Sequence, residues 1–152
     1  MIQERVIRRG AAGTRQTLTE MASLAREQPI LTQTPLERIN SYLAALWEFL
    51  PEEHETLYAP WFQFRRMYAG LPFIGDCDDA ALLAAALLVP RQDVAWRFVA
   101  VRRPAEPLFS HVFLEAWEKG APELVTIDPT LTLQNVQPDF EGWERLEMGE
   151  SR

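Results

Sequence analysis

Three residues in this chain combine types and positions that could support nucleophilic catalysis: Cys77, His111 and Asp128. A thiol can attack a carbonyl carbon, an imidazole can take the thiol proton, and a carboxylate can orient the imidazole. Cys77 opens an apolar run, Ala80 to Leu88, that reads as a helix. A sulfur at a helix start lies near unsatisfied N–H groups and the positive end of the macrodipole, which favours the thiolate. His111 falls within a β-type segment whose alternation puts it on one face with Phe109, Phe113 and Trp117. Asp128 ends the next such segment, in Thr126-Ile127-Asp128-Pro129-Thr130. If the two segments pair as a hairpin, His111 and Asp128 become neighbours.

Each residue also has a plainer use. A lone cysteine serves as core filling, a strand histidine as a hydrogen-bonded structural group, and an Asp before Pro as a turn starter. The second histidine, His54, lies in the acidic stretch Pro51-Glu52-Glu53-His54-Glu55 and reads as solvated. Asp76, Asp78 and Asp79 surround the cysteine. Carboxylates facing the sulfur would raise its pKa; turned away at a helix start they serve as caps, and their angular spread lets them point elsewhere. Three carboxylates could also hold a divalent cation, but adjacent helix positions diverge and no further oxygen ligands are evident, so neither metal nor cofactor is expected.

The elements that must position these residues are helical first and β second. Thr14 can cap an amphipathic helix to about Glu27, ended by Pro29. Thr34-Pro35-Leu36-Glu37 has the form of a capping box, with the helix running through Ile39, Leu43, Leu46 and Leu50 to Pro51. Residues 57–74 are aromatic-rich and read as a short helix or irregular wall, followed by the Cys77–Leu88 helix with Asp76 as its cap. Segments 96–102, 109–117 and 123–128 read as strands, and the last 20 residues as a loop or loose helix. The expected class is α+β: N-terminal helices and a buried cysteine-bearing helix packed on a small antiparallel sheet. A single domain is expected over 1–152, with a helical part at 1–56, a core at 57–132 and an extension at 133–152.

Length and composition narrow the function classes. The 152 residues suit one domain. One cysteine excludes an internal disulfide and a cysteine zinc cluster. Fifteen Lys and Arg against 22 Asp and Glu, a net charge of −7, give no general phosphate-binding field, so nucleic acid is not an expected partner. Arg5, Arg8, Arg9 and Arg15 form a small basic arm that reads as solvated. No signal segment or membrane span is visible, and a cytoplasmic setting is expected.

The residues around the three candidates resemble a known family. Gly75-Asp76-Cys77-Asp78-Asp79-Ala80-Ala81-Leu82-Leu83, Arg97 to Val101, Phe109-Ser110-His111-Val112-Phe113-Leu114-Glu115 and Ile127-Asp128-Pro129-Thr130 are similar, in that order, to the transglutaminase-like core of the papain-like superfamily. The Gly-Asp-Cys-Asp-Asp form, together with Gly13-Thr14-Arg15-Gln16-Thr17-Leu18 and Met21, resembles versions from tailed bacteriophages and prophages. The core resemblance spans Gly75 to Thr130 and departs from the family in the link Val89 to Val94.

The resemblance implies that Cys77 is the nucleophile, His111 the general base and Asp128 the orienting carboxylate. It implies an oxyanion site formed by the nucleophile's own N–H and an upstream polar side chain, for which Gln63 or Trp61 could serve. The implied activity is cysteine-dependent acyl transfer on a peptide or protein substrate, with hydrolysis of peptide or carboxamide bonds ahead of cross-linking. The alternative is a phage virion structural or morphogenesis protein that keeps the fold with little catalysis, partnered by other phage structural proteins and associated with the particle.

Overall fold

The computed structural model describes residues 33–50, 58, 60–133 and 139–148. The expected helix at 14–27 lies outside the described residues. In chain order the elements are α1 (Leu36–Ala45), β1 (Trp47–Phe49), α2 (Pro60–Tyr68), β2 (Phe73–Gly75), α3 (Cys77–Leu88), β3 (Val94–Arg102), β4 (His111–Glu118), β5 (Val125–Ile127), α4 (Pro129–Leu133) and β6 (Glu144–Met148). The class is mixed α+β, as the order of helical and β-type segments implies.

Helix α3 is the centre of the molecule. Every residue from Asp78 to Leu88 is buried, consistent with a sequence that is apolar nearly all round. Its alanines let the helix lie close to the sheet, while Leu83, Leu87 and Leu88 fill the core. Each such leucine stabilises the fold by about 2 kcal/mol through burial. On the sheet side the core is built from Val94, Trp96 and Phe98 of β3, Val112, Leu114 and Ala116 of β4, and Ile127 of β5.

The main sheet has the order β5-β4-β3-β6. β4 pairs antiparallel with β3 along its whole length, Val94 opposite Glu118 through Val101 opposite His111. β5 pairs antiparallel with β4 only from Leu114 to Ala116. Residues 111–113 of β4 therefore extend beyond the end of β5. That uncovered edge is where α3 begins. The face of the sheet turned away from α3 carries a second, smaller apolar cluster of Val99, Val101 and Phe113, with Phe140 and Trp143 packed against it.

Three local expectations are corrected. Thr34 does not cap α1. Pro35 takes that position with no side-chain cap hydrogen bond, and the Thr34 carbonyl accepts from Arg91 Nη1 at 2.6 Å. The helix also stops at Ala45 rather than continuing to Leu50. Trp47–Phe49 instead pairs in parallel with Phe73–Gly75, and the Trp47 indole N–H donates to the Gly75 carbonyl at 3.0 Å. A long-range strand partner outcompetes helix propagation here. Finally, part of the C-terminal stretch is neither loop nor helix: Glu144–Met148 forms β6 against Phe98–Arg102 of β3.

Candidate active site

The site lies where α3, the bare edge of β4 and the end of β5 meet. Asp76 caps α3 by accepting from the Asp78 N–H at 3.1 Å. The Asp79 carboxylate reaches back to the Asp76 N–H at 3.1 Å, completing a capping box. Its other oxygen accepts from the Tyr58 N–H at 2.7 Å. Two of the acidic residues are thus spent on capping, which fixes the entry of the chain into α3. Gly75 makes this possible. Its φ is +130°, and a Cβ there would stand 2.2 Å from Asp79 Oδ2.

The approach to Cys77 is also held by Gln63, which is completely buried. Its amide nitrogen donates to the Ile74 carbonyl at 2.5 Å and its oxygen accepts from the Ile74 N–H at 2.9 Å. The side chain therefore satisfies both backbone groups of a β2 residue three positions before the nucleophile candidate. Trp61, the other upstream candidate, falls in α2; its side chain lies outside the described residues.

Cys77 occupies the first position of α3 and is partly buried. Burial pushes its thiol pKa well up, and Asp78, Asp76 and Asp128 add to the rise by their charge, against a hydrogen bond from the Val112 backbone N–H that lowers it. This corrects the expectation that a helix start would favour the thiolate and that the carboxylates would face elsewhere. Asp78 Oδ1 lies 3.9 Å from Sγ, and Asp78 is itself buried. Desolvation and like charge outweigh the helix dipole. Burial also raises the Asp76 pKa from its ordinary value, in spite of its hydrogen bonds to Asp78 and Asp79.

The Val112 contact places the sulfur against the β4 edge, at the residue following His111. At the same end of β4, His111 Nε2 lies 2.6 Å from Asp128 Oδ2. The side chains of both are largely enclosed, 14% and 5% exposed. A carboxylate acceptor on Nε2 places the ring proton there, so Nδ1 is the nitrogen left to receive one. The imidazole is held flat by aromatic rings: Phe140 at 5.6 Å and Phe113 at 6.0 Å, both roughly parallel to it. Phe113 and Phe140 stack on each other at 5.5 Å.

Asp128 is fastened by a set of bonds that sequence reading missed. Its Oδ1 accepts from the Thr130 hydroxyl at 3.2 Å and the Leu131 N–H at 3.4 Å. Its backbone N–H donates to Asn40 Oδ1 of α1 at 2.8 Å. The signal for Asn40 was available only as a polar residue flanking the buried stripe Leu36, Ile39, Leu43 and Ala44. Phe140 gave none, since its approach to His111 depends on β6 joining the sheet.

Among the described residues no group of three or more His, Cys, Asp or Glu is placed to hold a metal ion, and no helix is long and apolar enough to cross a membrane. Comparisons with family models, with curated proteins and with solved structures found no match to this chain. What the geometry supplies is a thiol at a helix start and a carboxylate-bound imidazole, brought to one sheet edge in an α+β fold.

Proposed function

We propose that this protein is a cysteine-dependent acyl-transfer enzyme of transglutaminase-like type that hydrolyses peptide or carboxamide bonds through a thioester. The observation that carries the reading is the 2.6 Å bond between His111 Nε2 and Asp128 Oδ2, with the Cys77 sulfur hydrogen-bonded to the N–H of Val112, the residue that follows His111. The cysteine helix on an antiparallel sheet, with His111 on β4 and Asp128 at the end of β5, supports a papain-like core.

In this reading His111 Nδ1 takes the thiol proton as sulfur attacks the substrate carbonyl carbon. Because the resting thiol is protonated, transfer and attack proceed together rather than from a standing ion pair. The tetrahedral oxyanion is met by the Cys77 backbone N–H; one such donor contributes about 3 kcal/mol. Collapse breaks the C–N bond, and the imidazolium gives its proton to the leaving amine. Water, deprotonated by His111, then attacks the thioester and releases a carboxylic acid and the thiol. Asp128 holds the tautomer and balances the imidazolium charge.

The test uses p-nitrophenyl acetate as acyl donor, with mass spectrometry of the protein. Folded protein should acetylate at Cys77 faster than the urea-denatured chain, and His111→Ala should abolish the difference. Acetylation no faster than in the denatured chain would sink the proposal.

A second reading, a virion structural protein that retains the fold, is favoured by one observation: the buried thiol beside Asp78, an environment that disfavours the thiolate. It expects Cys77→Ser to leave particle assembly intact and the folded protein to show no acyl intermediate.

A further inference from the structure

Asp128 links the imidazole to α1 through Asn40, and the bonds that hold its backbone form a closed ring. The Asp128 N–H donates to Asn40 Oδ1 at 2.8 Å. Asn40 Nδ2 donates to Thr132 Oγ1 at 2.9 Å. The Thr132 hydroxyl donates to the Asp128 carbonyl at 3.1 Å. Both ends of the Asn40 amide are thereby committed, and the ring defines which end is oxygen. On the carboxylate, Thr130 and Leu131 engage Oδ1, which leaves Oδ2 turned to His111.

We infer that Asn40 is a positioning residue of the site, acting through Asp128 on the tautomer of His111. The inference rests on the nucleophilic reading of Cys77, but its physical content is separate. Asn40 belongs to α1, is 88 residues from Asp128 in sequence, and touches none of the reacting groups. β5 is only three residues long, and Asp128 follows its last ladder position at Ile127. The ladder alone therefore does not fix the Asp128 backbone. Beyond the ladder the Asp128 carbonyl accepts from the Thr132 N–H at 3.2 Å, and the side-chain ring adds the tie to α1. Without it the carboxylate can rotate off Nε2, and the ring proton can move to Nδ1, the atom that must accept from the thiol.

The experiment is run on the full chain. The sequence has two histidines, so a His54→Gln background leaves His111 as the single imidazole in long-range 1H–15N spectra. In the parent the ring should be in the Nε2–H form. Asn40→Ala should give a mixed tautomer and slow acetylation of Cys77 by p-nitrophenyl acetate by up to about 100-fold, the size of effect that small misplacements produce. Thr132→Val should move both readouts the same way, and Thr132→Ser, which keeps the hydroxyl, should move neither. If Asn40→Ala fails to fold, the two Thr132 variants decide. A folded Asn40→Ala or Thr132→Val protein with an unchanged tautomer overturns the inference, even if its rate falls. The tautomer is read without any reaction. Loss of catalysis in the parent would thus overturn the enzyme reading and leave this readout standing.

Discussion

Asp78 Oδ1 stands 3.9 Å from the Cys77 sulfur, inside the first turn of the helix whose dipole would otherwise favour the thiolate. Burial first, and the Asp78 charge after it, raise the thiol pKa and favour the protonated form. Iodoacetamide alkylation of Cys77 should therefore rise with pH only beyond the range of an ordinary thiol. Asp78→Asn should move the profile to lower pH, each unit raising the thiolate population at neutral pH about tenfold. An unmoved profile in a folded variant would show that burial alone sets the thiol.

The same shift affects stability at alkaline pH. The folded thiol has a raised pKa, so its contribution is intact below the unfolded thiol's pKa of about 8.5 and is lost as pH rises above it. Wild-type protein should lose melting temperature between pH 8 and 10 more steeply than Cys77→Ala. Equal slopes in urea or thermal titrations would contradict the assignment.

Asp128→Asn keeps the shape and exchanges the carboxylate for an amide that can donate to His111. The imidazole would then carry its proton on Nδ1, the wrong nitrogen for accepting from Cys77. The expected loss in the acylation rate is on the order of 10²–10⁴ with a near-normal melting temperature. Stopped-flow release of p-nitrophenol measures it, and a loss under tenfold would mean that Asp128 does not orient the ring.

Gly75→Ala strikes the other side of the site. A methyl group at φ +130° would meet Asp79 Oδ2 at 2.2 Å and break the capping box. A loss of about 2–3 kcal/mol is expected, read as a drop of several degrees in thermal melting. Gln63→Ala should also destabilise, by about 1–3 kcal/mol, because both polar groups of Ile74 lose their partner in a buried setting. A Gln63→Ala protein of unchanged melting temperature but slowed acylation would instead make Gln63 an oxyanion donor.

On the far face of the sheet, Glu115 receives Arg97 Nε at 2.8 Å and Arg145 Nη2 at 2.8 Å. Burial alone would raise its pKa, but the hydrogen bonds and charges of Arg145 and Arg97 outweigh that and lower it. Its contribution to stability is thus present above the unfolded value of about 4.3 and lost as pH falls through the depressed folded value. Glu115→Gln should flatten the acid limb of the stability curve, measured by urea unfolding from pH 7 to 3. Because Arg145 lies on β6, proteolysis after residue 143 should become faster in that variant.

Several features were legible in the residues alone. An alanine- and leucine-rich run bounded by Asp76 and Pro90 admits one element, a buried helix, and its observed span is Cys77–Leu88. The β-branched and aromatic segments after Pro90 gave the two long strands to within two residues, since period and propensity are local properties. Alternation along β4 set the face on which His111 stands. The ends of α1 and the nature of residues 144–148 were not legible. There, short stretches took strand form because a partner strand was available, and sequence-local signals carry no information about partners.

The sequence by itself determined which side chains could do chemistry and in what order the elements bearing them occur. Tertiary structure alone decided how those side chains are set. It ended β5 early, so that the sulfur meets the Val112 N–H. It brought Asn40 of α1 to the Asp128 backbone and laid Phe140 on the imidazole. It also decided the charge of the thiol, because burial and the position of Asp78 depend on packing that no spacing in the chain encodes. Residue types and periods are properties of a few neighbours, whereas desolvation, register and long-range hydrogen bonds belong to the whole folded chain.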